Sequence, residues 1–203
     1  MKSALKGIFM GKIVVVTGGA RSGKSSFAEK LAAQAGPEVV YLATAQAFDA
    51  EMTLRIAKHR ASRPQNWQTV EEPIAVARRI VDLNEKKRVI LLDCVTVWLS
   101  NLVLQGWDEG EDASESLLAA IMAEVAKLIG VMQQGEAKLI CVTNEVGWSI
   151  VPENALGRFY RDLAGKVNQL LAEAADEVYL VVAGCPLEIK SPARQIIARL
   201  EGC

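Results

Sequence analysis

Eight consecutive residues, Gly18-Gly19-Ala20-Arg21-Ser22-Gly23-Lys24-Ser25, read G-x-x-x-x-G-K-S. This is the spacing of a phosphate-binding loop, and each fixed position has a physical job. Gly18 and Gly23 permit backbone conformations that a Cβ would forbid, so successive N–H groups can converge on phosphate oxygens. Lys24 brings a compact positive charge to the β- and γ-phosphates of a nucleoside triphosphate, and the Ser25 hydroxyl is placed to ligate Mg²⁺. The flanks agree with the loop. Ile13-Val14-Val15-Val16 is a β-branched run suited to a buried parallel strand. From Ser25 to Ala35 the pattern is helical, with Phe27, Leu31 and Ala32 on one side, so the loop falls at a helix N-terminus, where anions are favoured.

Two further residues have types suited to the same chemistry. Asp93 closes the apolar run Arg88-Val89-Ile90-Leu91-Leu92-Asp93, the form of a Walker-B segment whose carboxylate holds Mg²⁺ directly or through water. The competing reading of Asp93 is an N-cap for the helix that begins near Val95. His59 is the sole histidine of the chain and lies in Arg55-Ile56-Ala57-Lys58-His59-Arg60-Ala61-Ser62-Arg63-Pro64. On a helix, Arg55, His59 and, one turn on, Arg63 share a face, with Lys58 and Arg60 flanking it. Four cations around an imidazole would make a landing site for phosphates beside a nucleophilic ring nitrogen. A merely solvated basic face is the alternative.

Elements that must position these residues alternate along the chain. Strands are expected at Ile13–Val16, Val39–Leu42, Val89–Leu92, Leu139–Val142 and Val178–Val182. Helices are expected at Ser25–Ala35, Ala50–Ala61, Ile74–Asn84, Val95–Leu104, Ser114–Gln133 and Ala155–Ala175. Alternation implies right-handed crossovers and an α/β fold: a single P-loop NTPase-like domain spanning 1–203, its mainly parallel sheet covered by helices on both faces. The tail from Pro186 adds a candidate strand, Leu187–Lys190, and a short terminal helix. Trp107 to Asp112 reads as an acidic, solvated loop. Because ligands of such sheets bind beyond the C-terminal strand ends, Thr44, Asp93 and Thr143-Asn144-Glu145 are expected beside the phosphate loop.

Composition limits the function classes. With 203 residues, 23% charged and a formal net charge of −1, the chain has no basic field pointing to nucleic acid. A hydrophobic content of 51% suits a well-covered sheet and an oligomer interface. No apolar stretch is long enough to span a bilayer. The start, Met1 to Val16, resembles a signal peptide only superficially: Lys12 interrupts it and its apolar end feeds the phosphate loop, with Met10 a candidate start. Cys94, Cys141, Cys185 and Cys203 lack metal-ligand spacing and read as reduced thiols of a cytoplasmic protein.

A third segment, Val142-Thr143-Asn144-Glu145-Val146-Gly147-Trp148-Ser149-Ile150-Val151-Pro152-Glu153-Asn154, places polar residues at a strand end and then opens a helix with cap-type residues. That helix carries Arg158, Arg161, Asp162, Lys166, Asn168 and Gln169, more polar function than a covering helix needs, with a solvated face as the bland alternative.

Taken in order, Thr17 to Ser25, Tyr41-Leu42-Ala43-Thr44, His59-x-x-x-Arg63-Pro64 with Trp67, Leu91-Leu92-Asp93-Cys94 with Asn101-Leu102, Thr143 to Gly147 with Val151 to Asn154, and Arg161 to Gln169 resemble the bifunctional adenosylcobinamide kinase/adenosylcobinamide-phosphate guanylyltransferase family of cobalamin biosynthesis. The resemblance runs from about residue 12 to residue 190. It implies two reactions: a nucleoside triphosphate, ATP or GTP, phosphorylates adenosylcobinamide. GTP then donates GMP to adenosylcobinamide phosphate through a GMP–histidine intermediate, releasing pyrophosphate. By position, the guanylylated histidine falls on His59. Nucleotide contacts fall on Gly18 to Ser25, Ala43, Thr44, Arg60, Ala61, Ser62, Arg63, Glu71 and Asp93. Family members assemble as trimers. Trp148 and Ser149 depart from the glycine-rich continuation the family has after Gly147.

Two rivals come from other classes. A GTPase switch would need an Asn-Lys-x-Asp motif and an Asp-x-x-Gly, whereas Asp93 is followed by Cys94-Val95-Thr96 and Asn144 by Glu145-Val146. A simple P-loop small-molecule kinase would share the loop and Asp93 but would have no use for His59 and its cations.

Overall fold

The computed structural model describes residues 12–47, 50–61, 63–85, 88–107 and 111–201. In chain order the elements are β1 (Ile13–Thr17), α1 (Lys24–Ala35), β2 (Glu38–Ala43), α2 (Ala50–Ala61), β3 (Gln68–Glu71), α3 (Val76–Leu83), β4 (Arg88–Asp93), α4 (Val95–Gly106), α5 (Glu111–Gln134), β5 (Lys138–Val142), α6 (Ala155–Ala174), β6 (Glu177–Val182), β7 (Cys185–Glu188) and α7 (Lys190–Glu201). Among the described residues the strands form one sheet in the order β3-β2-β4-β5-β1-β6-β7, and every pairing except β6–β7 is parallel.

Both faces of this sheet are covered, as continuous apolar strands require. Side chains alternate across a strand. Ile13 and Val15 enter a core built with α3, α4, α5 and α6 around Trp98, Leu99, Val125, Leu128 and Leu171. Val14 and Val16 enter a second core with Ala28, Leu31 and Ala32 of α1, Tyr41 and Tyr179. Each large apolar side chain buried in this way contributes roughly 1.5–3 kcal/mol. The register of β1 is pinned at its start, where Asp176 Oδ2 accepts from the backbone N–H groups of Lys12 (2.7 Å) and Ile13 (2.8 Å).

The structure departs from expectation in a few places. β3 was not expected: Gln68-Thr69-Val70-Glu71 has no apolar run, because it is a short edge strand that pairs only with β2. The last strand covers Cys185–Glu188 rather than Leu187–Lys190 and runs antiparallel, returning from β6 through a two-residue turn. Ala183 (φ 50°) and Gly184 (φ 79°) supply the left-handed conformations such a hairpin needs. α3 is shorter than expected, because the Glu72 carboxylate accepts from Ile74 N (3.1 Å) and Ala75 N (2.8 Å) and holds that turn out of the helix. The acidic stretch is not all loop, since Glu111 opens α5, while residues 108–110 lie outside the described ones, as do residues 1–11 and Cys203. α2 ends at Ala61, so Arg63 does not continue the helical face of His59.

Candidate active site

β1, β2, β4 and β5 point their C-terminal ends into one cleft of about 1010 Å³. Of the residues expected there, the structure brings together Gly19, Ala20, Arg21, Lys24 and Ser25 of the phosphate loop, Ala43, His59, Arg60, Arg63, Glu71, Asp93, Asn144 and Glu145, while Thr143 sits just behind them. Gly18, Ser22, Gly23, Thr44 and Ala61 do not line it, and Ser62 lies outside the described residues.

The phosphate loop is fixed from behind by the β6–β7 turn. Gly184 N donates to Ser22 O at 2.8 Å. A Cβ on Gly18, whose φ is 149°, would stand 2.4 Å from Val181 O and 2.8 Å from Ser22 Oγ, so only glycine fits between β6 and the loop. A Cβ on Gly23 (φ 93°) would meet Gly184 Cα at 3.2 Å. Gly23 is also the N-cap of α1, which leaves the first turn of backbone N–H groups facing the loop. Lys24 is buried, and its Nζ donates to Gly19 O at 3.0 Å. Among the described residues the Ser22 hydroxyl is buried without a partner.

At the ends of β2 and β4, Asp93 is no helix cap. Its Oδ2 accepts from Tyr41 Oη at 2.6 Å, and the cap of α4 is Cys94, whose Sγ accepts from Val97 N at 3.4 Å. Burial, and then the charge of Asp93, push the Tyr41 hydroxyl far above its ordinary pKa, so it remains a proton donor to the carboxylate. Burial and the same negative charge also raise Glu29 on α1. Arg63 answers this negative cluster from the other side. Its guanidinium lies 3.3 Å from the centroid of the Tyr41 ring, NH1 donates to Thr69 Oγ1 at 3.4 Å, and among the described residues Nε is buried without a partner. Arg63 thus reaches the cleft from the connection between α2 and β3, beneath Tyr41, and not from the helix. Thr44 is fully buried and clasps the strand ends together: its hydroxyl donates to Cys94 O (2.8 Å) and accepts from Cys94 N (3.0 Å). The Asn101 amide, also buried, donates to Thr44 O and Pro73 O.

His59 lines the cleft from α2, with Ile56 and Met52 one and two turns before it. Arg60, next to it, pairs with Glu71 of β3 at 2.8 Å, both ends more than half exposed, so the pair ties α2 to the sheet edge weakly. The side chains of Arg55 and Lys58, expected around the imidazole, lie outside the described residues.

Sequence reasoning gave no role to several residues of the site. Tyr41 reads as core in an apolar strand, and only its position at a strand end shows the hydroxyl turned to Asp93. At the end of β5, Thr143 Oγ1 donates to Asn168 Oδ1 (2.6 Å), and Asn168 Nδ2 donates to Asn144 O (2.9 Å) and Glu145 Oε1 (3.2 Å). Asn144 Nδ2 donates to Thr96 Oγ1 (2.8 Å), and Tyr160 Oη donates to Thr96 O (2.7 Å). Of the polar α6 residues singled out in the sequence, Asn168 is the one whose hydrogen bonds reach the site; Arg161 pairs with its neighbour Asp162, and Lys166 and Gln169 are exposed. Trp148 and Ser149, the departure from the family pattern, form a rim of the cleft.

Among the described residues no group of three or more His, Cys, Asp or Glu side chains could hold a metal on its own. The Ser25 hydroxyl and the Asp93 carboxylate, the two oxygens expected to meet the metal, both line the cleft. That small hard-oxygen set suits Mg²⁺, which keeps water and phosphate oxygens for most of its shell.

The chain matches the family described as cobinamide kinase / cobinamide phosphate guanyltransferase over residues 14–189. It is 47% identical over 182 residues to the bifunctional adenosylcobalamin biosynthesis protein CobU of Escherichia coli (strain K12), covering 88% of this chain and 99% of that one. Against the bifunctional adenosylcobalamin biosynthesis protein CobP of Pseudomonas aeruginosa the identity is 43% over 176 residues, covering 87% and 96%. A solved protein of Pyrococcus horikoshii OT3 shares the fold at a TM-score of 0.51 and 9% identity, over 87% of this chain and 85% of that one.

Proposed function

Because the chain belongs to the cobinamide kinase/cobinamide phosphate guanyltransferase family, we propose that this cleft runs two reactions in turn on the same corrinoid. The enzyme is a bifunctional kinase and guanylyltransferase of cobalamin biosynthesis, and it uses nucleotides. In the first reaction ATP or GTP binds with its phosphates on the loop from Gly18 to Ser25. The hydroxyl of adenosylcobinamide attacks the γ-phosphorus, the bond to the β-phosphate oxygen breaks, and a nucleoside diphosphate leaves. In the second, a ring nitrogen of His59 attacks the α-phosphorus of GTP and pyrophosphate departs. A phosphate oxygen of adenosylcobinamide phosphate then displaces His59, giving adenosylcobinamide-GDP.

The observation that carries this reading is that His59, Arg60 and Arg63 share one cleft with Lys24 and Ser25. A simple kinase has no need of the first three. Lys24 stabilises charge developing on the β- and γ-phosphates in either step, and Arg63, its guanidinium held 3.3 Å from the Tyr41 ring centroid on the cleft wall, is positioned for an anionic oxygen. Ser25 and Asp93 would hold Mg²⁺, which supplies charge neutralisation at the phosphates. Tyr41 orients the Asp93 carboxylate through its 2.6 Å hydrogen bond. Thr44 supports the nucleotide site from behind, by fixing the strand ends beside Ala43 and Asp93. Gly18, Ser22 and Gly23 act likewise by shaping the loop.

GTP labelled at the α-phosphate tests the reading: label should enter the protein and then adenosylcobinamide-GDP, whereas γ-labelled GTP should leave none on the protein. Phosphorylation of adenosylcobinamide with no α-label transfer would reduce the chain to a kinase. For the metal, Asp93→Asn keeps size and removes charge, and the Mg²⁺ titration of both activities should move to roughly 10–100-fold higher concentration. An unchanged titration would remove Asp93 from the metal site.

The reading includes a homotrimer in the cytoplasm. Ile150 (92% exposed), Trp148 (66%) and Val151 present apolar surface beside the cleft that a neighbouring copy would cover, and sedimentation should then give the mass of a trimer of the 22.0 kDa chain. Among the described residues no helix is long and apolar enough to cross a membrane, and Cys94, Cys141 and Cys185 are free thiols.

A further inference from the structure

The two reactions differ in what they ask of the acceptor. In the second, the attacking atom is a phosphate oxygen that is already ionised. In the first it is an alcohol, whose proton must go somewhere as the new P–O bond forms. The cleft lining offers three carboxylates, Glu71, Asp93 and Glu145. Glu71 is engaged by Arg60, and Asp93 by Tyr41 and the metal site.

Glu145 is held differently. Its backbone N–H donates to Gly18 O at 3.2 Å, which fastens the residue to the first glycine of the phosphate loop. Its Oε1 accepts from Thr17 Oγ1 at 2.6 Å, the last residue before the loop, and from Asn168 Nδ2 at 3.2 Å. Both tethers converge on one oxygen. Among the described residues Oε2 takes no hydrogen bond, and the side chain is half-buried on the cleft. Asn168 is itself fixed by Thr143 and Asn144, so the carboxylate is preorganised by a hub joining β1, β5 and α6. A fixed carboxylate with one bare oxygen beside the triphosphate loop is the arrangement a hydroxyl acceptor needs.

We infer that Glu145 is the general base of the kinase step, accepting on Oε2 the proton that the substrate hydroxyl loses as its oxygen attacks the γ-phosphorus. The hydroxyl oxygen gains the phosphoryl group, the β–γ bridging bond breaks, the electron pair leaves with the nucleoside diphosphate, and the proton rests on Glu145. This inference rests on the two-reaction reading above, and it makes Glu145 specific to one of the two.

Glu145→Gln is the test, because the amide oxygen still accepts from Thr17 and Asn168 while the basic oxygen is lost. Phosphorylation of adenosylcobinamide should fall by roughly 10²-fold or more in kcat. KM for the nucleotide should stay within a few-fold. Guanylyl transfer from GTP to separately supplied adenosylcobinamide phosphate should also stay within a few-fold, which reports a folded nucleotide site in the same sample. Kinase activity near that of the parent would overturn the inference, and so would parallel loss of both activities, since the carboxylate would then be architecture. If the Gln variant does not fold, Glu145→Asp, which keeps the charge and shortens the reach, should show the same selective loss. Equal loss of both activities in that variant would again count against Glu145. A parent chain that phosphorylates nothing would sink the two-reaction reading instead.

Discussion

Lys24→Ala should lower both activities, each by roughly 10²–10³-fold, or about 3–4 kcal/mol of transition-state stabilisation. The reason is geometric. Lys24 is buried at the start of α1, and its ammonium is held by Gly19 O at 3.0 Å, so the charge is fixed inside the phosphate loop and spends no reorganisation when the phosphates gain charge. The two reactions break different bonds, at the γ- and the α-phosphorus, yet in both the departing group carries its new charge on the β-phosphate. One cation therefore serves two chemistries. Lys24→Arg should not restore either, because the planar guanidinium does not fit a pocket closed by the loop's own backbone. Rates of adenosylcobinamide phosphorylation and of GMP transfer, measured on the same preparation, check this. If one stays within a few-fold of the parent while the other collapses, the loop belongs to a single reaction and the shared-cleft reading fails.

Much of this arrangement was legible in the residues, for physical reasons that also explain what was not. The buried parallel strands announce themselves as runs such as Val89-Ile90-Leu91-Leu92, because both their faces are covered and no polar residue interrupts them. The phosphate loop is legible because its backbone geometry demands glycine at fixed places. β3 carried no such signal: an edge strand of four residues, with one neighbour, needs no apolar run. The turn at Ala183 and Gly184 reads as a hairpin turn at best, and nothing local in the sequence tells that its backbone braces Ser22 some 160 residues earlier.

The site shows the same division. His59 and Asp93 are chemically unusual where they stand, a sole histidine among cations and an acid closing an apolar strand, so they can be picked out by type. Tyr41 cannot, and Glu145 and Asn168 are only placed near the site by a strand end and a polar helix, with no role attached. Their importance lies in which partner each hydroxyl, carboxylate or amide meets across the sheet, and the sequence separations of those partners run from 23 to 128 residues. Arg63 is an intermediate case: its type and its arrival at the cleft were foreseeable, but helical periodicity placed it on the His59 face. The end of α2 at Ala61 instead frees it to stack on Tyr41.

His59→Asn should separate the two activities where Lys24→Ala does not. The substitution keeps a polar side chain on α2 but removes the nucleophilic ring nitrogen. Incorporation of label from α-labelled GTP should vanish, and GMP transfer should fall on the order of 10³-fold or more, because a covalent route is lost outright. Phosphorylation of adenosylcobinamide should survive in substantial part, since its phosphoryl group passes directly to the hydroxyl and the phosphate loop is intact. The bond in the parent should be a phosphoramidate, labile in acid and stable in alkali, opposite to a serine or threonine ester in base. As the chain holds one histidine, that lability pattern alone narrows the assignment to His59 or a lysine. Labelling that persists in the variant would move the nucleophile to a lysine such as Lys58, one residue away. Loss of both activities in a variant that still binds nucleotide would make the α2 wall shared architecture, and the assignment of one reaction to His59 would have to be given up.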